Sequence, residues 1–293
     1  MTPSLRRDLT GILWISPWLV GALAFLLIPI ALSLYYSFTD YPVLEPPIWI
    51  GLANYVRMFN DPVFMTTARN TLIYAAISIP ACTVLSVVVA ALLNQKVRAA
   101  GFFQAAVFLP TLVPLIASAM VWMWLFNGEY GLINRALRAV GLPAPNWLTD
   151  PDWAMPALVI VSLWGIGQAV ILYLAALKEV PEQLYEAAAL DGMGPVRKFW
   201  NVTLPMISPV ILFNVIVLTI GTFQVFVIPF VLYRQKDGQV EAAYFYTMYL
   251  YDNIYYGQMG YASAMAWVQL LIILALTALM FLVSKRLVHY RAG

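Results

Sequence analysis

Glu186-Ala187-Ala188-Ala189-Leu190-Asp191-Gly192, followed by Met193-Gly194-Pro195 and closed by Thr203-Leu204-Pro205, is the one long polar interruption in this chain that reads as a built element. Alanine is the best helix former, so the run to Leu190 is expected to be helical. Pro181 suits the first helical turn, where its missing N–H leaves no bond unmade. Glu182 and Glu186 lie towards the helix start, where the dipole favours negative charge. Gly192 suits the left-handed position that ends a helix. Gly194-Pro195 then starts a second helix, which carries Arg197, Lys198, Phe199 and Trp200 and stops at Pro205. The pattern predicts a helix–glycine–helix elbow over residues 178–205, with small alanines that let another surface come close.

The surroundings of this elbow are almost entirely apolar. Hydrophobic residues make up 62% of the 293 and charged residues 10%, against about 25% charged in soluble domains. A soluble fold could not cover that much apolar surface, so the chain is read as an all-α polytopic membrane protein. Six stretches meet the requirement of about 20 apolar residues for a spanning helix: roughly 12–38, 70–94, 102–126, 154–177, 206–232 and 261–284. None of the six contains Asp, Glu, Lys or Arg. The first resembles a signal peptide at its start, but its apolar run continues to Phe38, well past a signal core of about 7–15 residues. It is read as a retained helix, and residues 1–293 as a single membrane domain.

Loop charge sets the orientation. Arg6, Arg7, Lys96, Arg98, Lys178, Arg197, Lys198, Lys285, Arg286 and Arg291 share one side. The other side holds Arg57, Arg69, Arg135, Arg138, Arg234 and Lys236 among acids that include Asp40, Glu45, Asp61, Asp150, Asp152 and Asp252. The bias puts both termini and the elbow in the cytoplasm. Asp61-Pro62 and Asp150-Pro151 read as an N-cap followed by proline at the first helical position. Trp14, Trp18, Trp147 and Trp153 are read as interface anchors. Prolines inside the spans (Pro29, Pro80, Pro110, Pro114, Pro209, Pro229) predict kinks whose freed carbonyls need neighbouring helices or cavity water.

Several chemistries are excluded. A net charge of +2 does not point to nucleic acid. With one cysteine, Cys82, and one histidine, His289, no metal site and no nucleophile–base pair can be assembled. Cys82 is read as packing and His289 as a solvated terminal residue. No G-x-x-x-x-G-K-[ST] loop is present, so ATP and other cofactors are not expected on this chain. An ion-coupled carrier normally has ionisable residues at membrane depth, and none is found. Uphill transport would therefore draw on another subunit, with the elbow as its docking point. Neutral polar residues do sit in the spans: Gln168 in the fourth, and Asn214, Thr219, Thr222 and Gln224 in the fifth, among Trp164, Tyr173, Phe213, Phe223 and Phe226. Amides and hydroxyls beside aromatic faces suit a polyhydroxylated neutral solute such as a sugar. Interhelical hydrogen bonding is the better reading for any one of them; for the set, at least two are expected to line a pathway. The pathway set is Trp164, Gln168, Asn214, Thr222, Phe223, Gln224 and Phe226.

Glu186-Ala187-Ala188, Asp191-Gly192 and Leu204-Pro205, led by Lys178-Glu179-Val180-Pro181-Glu182-Gln183-Leu184-Tyr185, resemble the EAA loop of permease subunits from binding-protein-dependent ABC importers. Ser16-Pro17-Trp18-Leu19-Val20-Gly21, Gly51-Leu52-Ala53-Asn54-Tyr55, Trp147-Leu148-Thr149-Asp150-Pro151 and Met259-Gly260-Tyr261-Ala262-Ser263-Ala264 extend the likeness to the carbohydrate-uptake group, on the side of the larger membrane subunit of maltose and glycerol-phosphate importers. Extra N-terminal helices and a large outer domain, frequent in the maltose type, are missing. The resemblance implies the type I importer fold in its six-helix form, in a bacterial or archaeal inner membrane and bathed in lipid. It implies a second, homologous permease, two ATP-binding subunits that hold ATP and Mg, and an extracytoplasmic solute-binding protein. It also implies that the elbow is a coupling helix in a cleft of the ATPase. Leu184, Tyr185, Glu186, Ala187, Ala188, Asp191, Gly192, Leu204 and Pro205 would then be the coupling residues: Glu186 a polar contact, the alanines a close approach, Leu184 and Tyr185 an apolar contact. A stand-alone ion-coupled carrier and a non-transport membrane scaffold are the rival functions.

Overall fold

A computed structural model describes residues 3–95, 99–235 and 238–287. Lys96, Arg98, Lys236 and Arg291 of the charge reading, and His289, lie outside them. The first span is α1 (Pro3–Ala22) and α2 (Ile28–Ser37), joined by a wide turn at Leu23–Leu27. A short helix α3 (Ala53–Phe59) precedes α4 (Pro62–Leu93). Next come α5 (Ala100–Phe108), α6 (Leu115–Leu125) and a small α7 (Leu132–Ala139). They are followed by α8 (Pro151–Trp164), α9 (Gly167–Lys178), α10 (Glu182–Leu190) and α11 (Pro195–Lys198). The chain closes with α12 (Leu204–Phe223), α13 (Val227–Tyr233), α14 (Tyr246–Tyr255) and α15 (Met259–Leu287).

Among the described residues, four apolar helical stretches are long enough to cross a membrane: Gly11–Ser37, Pro62–Leu93, Pro195–Tyr233 and Met259–Lys285. Two bent pairs bring the number to six when each counts as one span: Ala100–Leu112 with Leu115–Leu125, and Pro151–Trp164 with Gly167–Lys178. The third span is thus not the straight helix expected over 102–126. It turns by 102° because Val113, ahead of Pro114, is pushed out of the helical region into extended backbone (ψ 128°). The fourth span bends by 46° at Gly165, a weak helix former.

The second elbow helix also departs from expectation, since it does not stop at Pro205. A π-helical turn over Phe199–Thr203 joins α11 to α12, and the Leu204 N–H reaches back to the Phe199 carbonyl. Widening the turn just before a proline removes its clash with the preceding turn and its need for a donor. The first span repeats the device, with Ile28 N–H bonded to Leu23 O ahead of Pro29. Both Asp-Pro pairs open spans directly: Pro62 begins α4, and Asp150 caps α8 by accepting from the Asp152 N–H at 3.0 Å.

The chain divides into two compact units, Met1–Asp61 with Leu250–Leu271, and Pro62–Tyr249 with Ile272–Gly293. In the first, Asn54 donates to the Ser37 and Thr39 carbonyls, Tyr261 donates to Asp61 at 2.8 Å, and Arg57 lies over the Tyr261 ring. The short ribbon pairing Thr39 with Trp49 sits beside them.

In the second unit α4 is the central helix, packed against α8, α9 and α12. One apolar core gathers Phe126, Trp147, Leu158, Leu232, Tyr233 and Phe245. Trp147 is therefore not an interface anchor. Its indole N–H donates to Asn134 at 2.8 Å, its ring packs on Phe126, and its carbonyl accepts from Tyr233. A second core joins Val87, Val170, Tyr173, Leu174, Leu177 and Ile207. Here Gly167 lets α9 meet α5, since a Cβ at this position would lie 2.3 Å from the Val107 carbonyl oxygen. Gly167→Val has no rotamer that relieves a backbone clash. We expect it to cost about 1–3 kcal/mol, read as a lower melting temperature in detergent; an unchanged melting curve would contradict this packing.

Candidate functional site

Two regions of the second unit collect the functional residues. The first is the elbow. Pro181 is the residue capping α10 rather than its first helical residue, with extended backbone (ψ 133°). At the other end the Met193 N–H bonds the Ala188 carbonyl and the Gly192 N–H bonds the Ala189 carbonyl. This is the Schellman arrangement, and Gly192 supplies its left-handed residue at φ +73°. No atom lies within 4 Å of a Cβ built there, so the demand for glycine is purely conformational. Gly194 caps α11 and Pro195 opens it.

The predicted coupling residues split by direction. Glu186, Ala187, Asp191 and Gly192 are exposed, as is much of Leu184. Ala188 is buried within the chain, and the Tyr185 hydroxyl shares a 3.0 Å hydrogen bond with Thr203. These two hold the elbow to its own body. Leu204 and Pro205 are half-buried inside the continuous helix that leads into the fifth span. Sequence reasoning passed over two exposed apolar groups on the elbow: Leu190, 90% exposed, and Val196. Both flank Gly192, and their position beside a predicted turn was the available signal.

The second region is a cavity of about 250 Å³ among α4, α8, α9 and α12. Gln168 and Asn214, predicted as pathway residues from different spans, line it together. The remaining polar lining comes from Thr83, Ser86, Ser162, Tyr173 and Cys82. Asn214 donates to the Val210 carbonyl in its own helix. Ser86 donates to the Cys82 carbonyl and Ser162 to the Val159 carbonyl. The Thr83 hydroxyl oxygen is buried and makes no hydrogen bond among the described residues. Thr83, Ser86 and Ser162 were not singled out from the sequence, although Thr83 and Ser86 sit three apart on one apolar helix. Cys82, read as packing, is buried but borders this space, with its sulfur 3.6 Å from the Ser162 hydroxyl.

The other pathway candidates fall elsewhere. Trp164 packs edge-to-face on Trp122 beside the first core. Thr222 and Phe223 are buried, and Phe223 packs on Ala75 and Ile273. Gln224 is exposed at the end of α12, and Phe226 packs on Phe230 past the break between α12 and α13. Among the described residues no group of three His, Cys, Asp or Glu could hold a metal ion.

Residues 83–289, which contain the elbow and all of the cavity lining except Cys82, match the family model of the binding-protein-dependent transport system inner membrane component. The chain belongs to that family. It is a permease of the ABC transporter class, a membrane component of a transport system. YesP of Bacillus subtilis is 34% identical over 99% of this permease and 95% of its own length. The lactose transport system permease protein LacF of Rhizobium radiobacter is 33% identical over 96% of this chain and 97% of its own. In fold, the permease resembles a chain in the crystal structure of a bacterial alginate ABC transporter in complex with an alginate pentasaccharide-bound periplasmic protein. The TM-score is 0.84 at 24% identity, covering 97% of this chain and 96% of that one.

Proposed function

We propose that this permease carries a carbohydrate, either a sugar, an oligosaccharide or a polyol, across the inner membrane. An extracytoplasmic solute-binding protein delivers the solute, and separate ATPase subunits drive the step. The observation that carries this reading is the cavity in which Gln168 and Asn214 meet. Its polar lining is made of amides, hydroxyls and a thiol without a charged side chain. Such groups exchange hydrogen bonds with a neutral polyhydroxylated solute without having to desolvate an ion. The lactose permease among the relatives supports the same substrate class.

The assembly has a second, homologous permease, two ATP-binding subunits and the binding protein, with lipid around the spans and no nucleic acid. ATP and Mg reside on the ATPase subunits, and this chain binds no cofactor. None of the most apolar window of Gly11–Ser37 is buried by the chain itself, which leaves that helix for a neighbouring permease or lipid to cover. Both termini and the elbow face the cytoplasm. Leu184, Glu186, Ala187, Leu190, Asp191 and Gly192 form the coupling surface, with Tyr185, Ala188, Leu204 and Pro205 transmitting its movement to the fifth span.

The test is reconstitution of the complex in liposomes, with calorimetric screening of the binding protein against neutral sugars and polyols. A carbohydrate that binds the protein and stimulates ATP hydrolysis by the complex is the expected result. A binding protein that takes only amino acids, peptides or inorganic ions would overturn the substrate class.

A further inference from the structure

The loop between α6 and α8 contains a helix with three different faces. Asn134, Ile133 and Leu137 fix α7 to the protein. Asn134 is fully buried, with its amide donating to the Gly128 and Pro145 carbonyls and its oxygen accepting from Trp147. Ile133 and Leu137 pack on the first core. At about 3.6 residues per turn, Leu132, Ala136 and Val140 fall on the neighbouring face. They are exposed, Leu132 by 55% and Val140 by 70%. Arg135 and Arg138 occupy the remaining face, both exposed. Gly141, at φ +74°, ends the helix, and Leu142, itself 53% exposed, follows it with its N–H returned to the Leu137 carbonyl.

We propose that α7 lies in the membrane–water boundary, with Leu132, Ala136, Val140 and Leu142 entering the acyl region of phospholipids and Arg135 reaching their phosphates. Continuity names the occupant. α7 packs against α6, which belongs to the third span and itself exposes Met120, Val121 and Trp124. Only residues 126–131 separate the two helices, so α7 is held at the level where that span leaves the bilayer. An apolar face bordered by Arg135 is the pattern of an interfacial helix, with the arginine stem lying along apolar surface and its charge in the headgroups, while the Arg138 guanidinium donates to the Gly128 and Glu129 carbonyls. The proposal depends on the spans and not on the solute carried.

The test uses the complete transporter in nanodiscs of phosphatidylethanolamine and phosphatidylglycerol, with nitroxide labels at Val140→Cys and, as a water reference, Glu129→Cys. The parent chain, whose one cysteine Cys82 is buried, is the labelling control. We expect the label at 140 to be several-fold more accessible to oxygen, relative to a nickel chelate, than the label at 129. Equal nickel accessibility at the two positions would overturn the proposal. So would a label at 140 that becomes shielded only when the binding protein is added, because that face would then be a protein contact.

Discussion

Gly192→Pro is expected to abolish uptake while the chain remains inserted. Proline fixes φ near −65° and removes the N–H, whereas Gly192 sits at φ +73° and donates to the Ala189 carbonyl. The elbow would lose its turn and one of its two terminal hydrogen bonds. A change of that kind costs on the order of 3 kcal/mol in an ordinary helix, yet here it falls on an exposed turn with open space around the Gly192 Cβ position. Gly192→Ala is the control. It carries about 1–2 kcal/mol of left-handed strain but meets no atom within 4 Å, so partial uptake is expected. Glu186→Lys complements both, because Glu186 is exposed and surface changes rarely shift stability by more than about 0.5 kcal/mol. Lost uptake at normal abundance, with ATP hydrolysis no longer stimulated by loaded binding protein, is the expected signature. Full transport by Gly192→Pro and Glu186→Lys would remove the coupling role.

Replacing both Gln168 and Asn214 by leucine is expected to have the second-largest effect. Losing a hydrogen bond to an uncharged partner costs about 0.5–1.5 kcal/mol, or about two- to tenfold per site. The double variant should therefore lower uptake by more than either single one. Folding should survive, since Gln168 is exposed and Asn214 only half-buried. Transport rates in liposomes, compared with melting temperature, separate the two possibilities. A double variant with unchanged transport would place the pathway away from this cavity.

What the sequence made legible was mostly local. The Gly192 turn, the Gly194-Pro195 start and the Asp150 cap each depend on a few adjacent residues, and each forms as read. The misreadings depend on distant partners or on direction. Hydropathy registers how apolar 102–126 is but not which way it runs, so the 102° turn at Val113-Pro114 was invisible. Pro205 reads as a stop unless the π turn before it is known. Trp147 resembles an interface anchor until Asn134 and Tyr233, remote in sequence, are seen to take its polar groups. Of the seven pathway candidates, packing brings Gln168 and Asn214 from different spans together at one cavity, a meeting that hydropathy alone does not register. The two serines and the threonine in its lining carried no mark in a single sequence, because such residues also bond back within apolar helices.

We propose that this chain contains the path and the lever, and that its energy comes from separate ATPase subunits. Proteoliposomes containing the complete complex test it most directly, with loaded binding protein outside and either ATP inside or an imposed proton or sodium gradient. Accumulation that requires ATP and binding protein, and that no ion gradient can replace, is the predicted result. Accumulation driven by an ion gradient in liposomes holding this chain without its ATPase would contradict it.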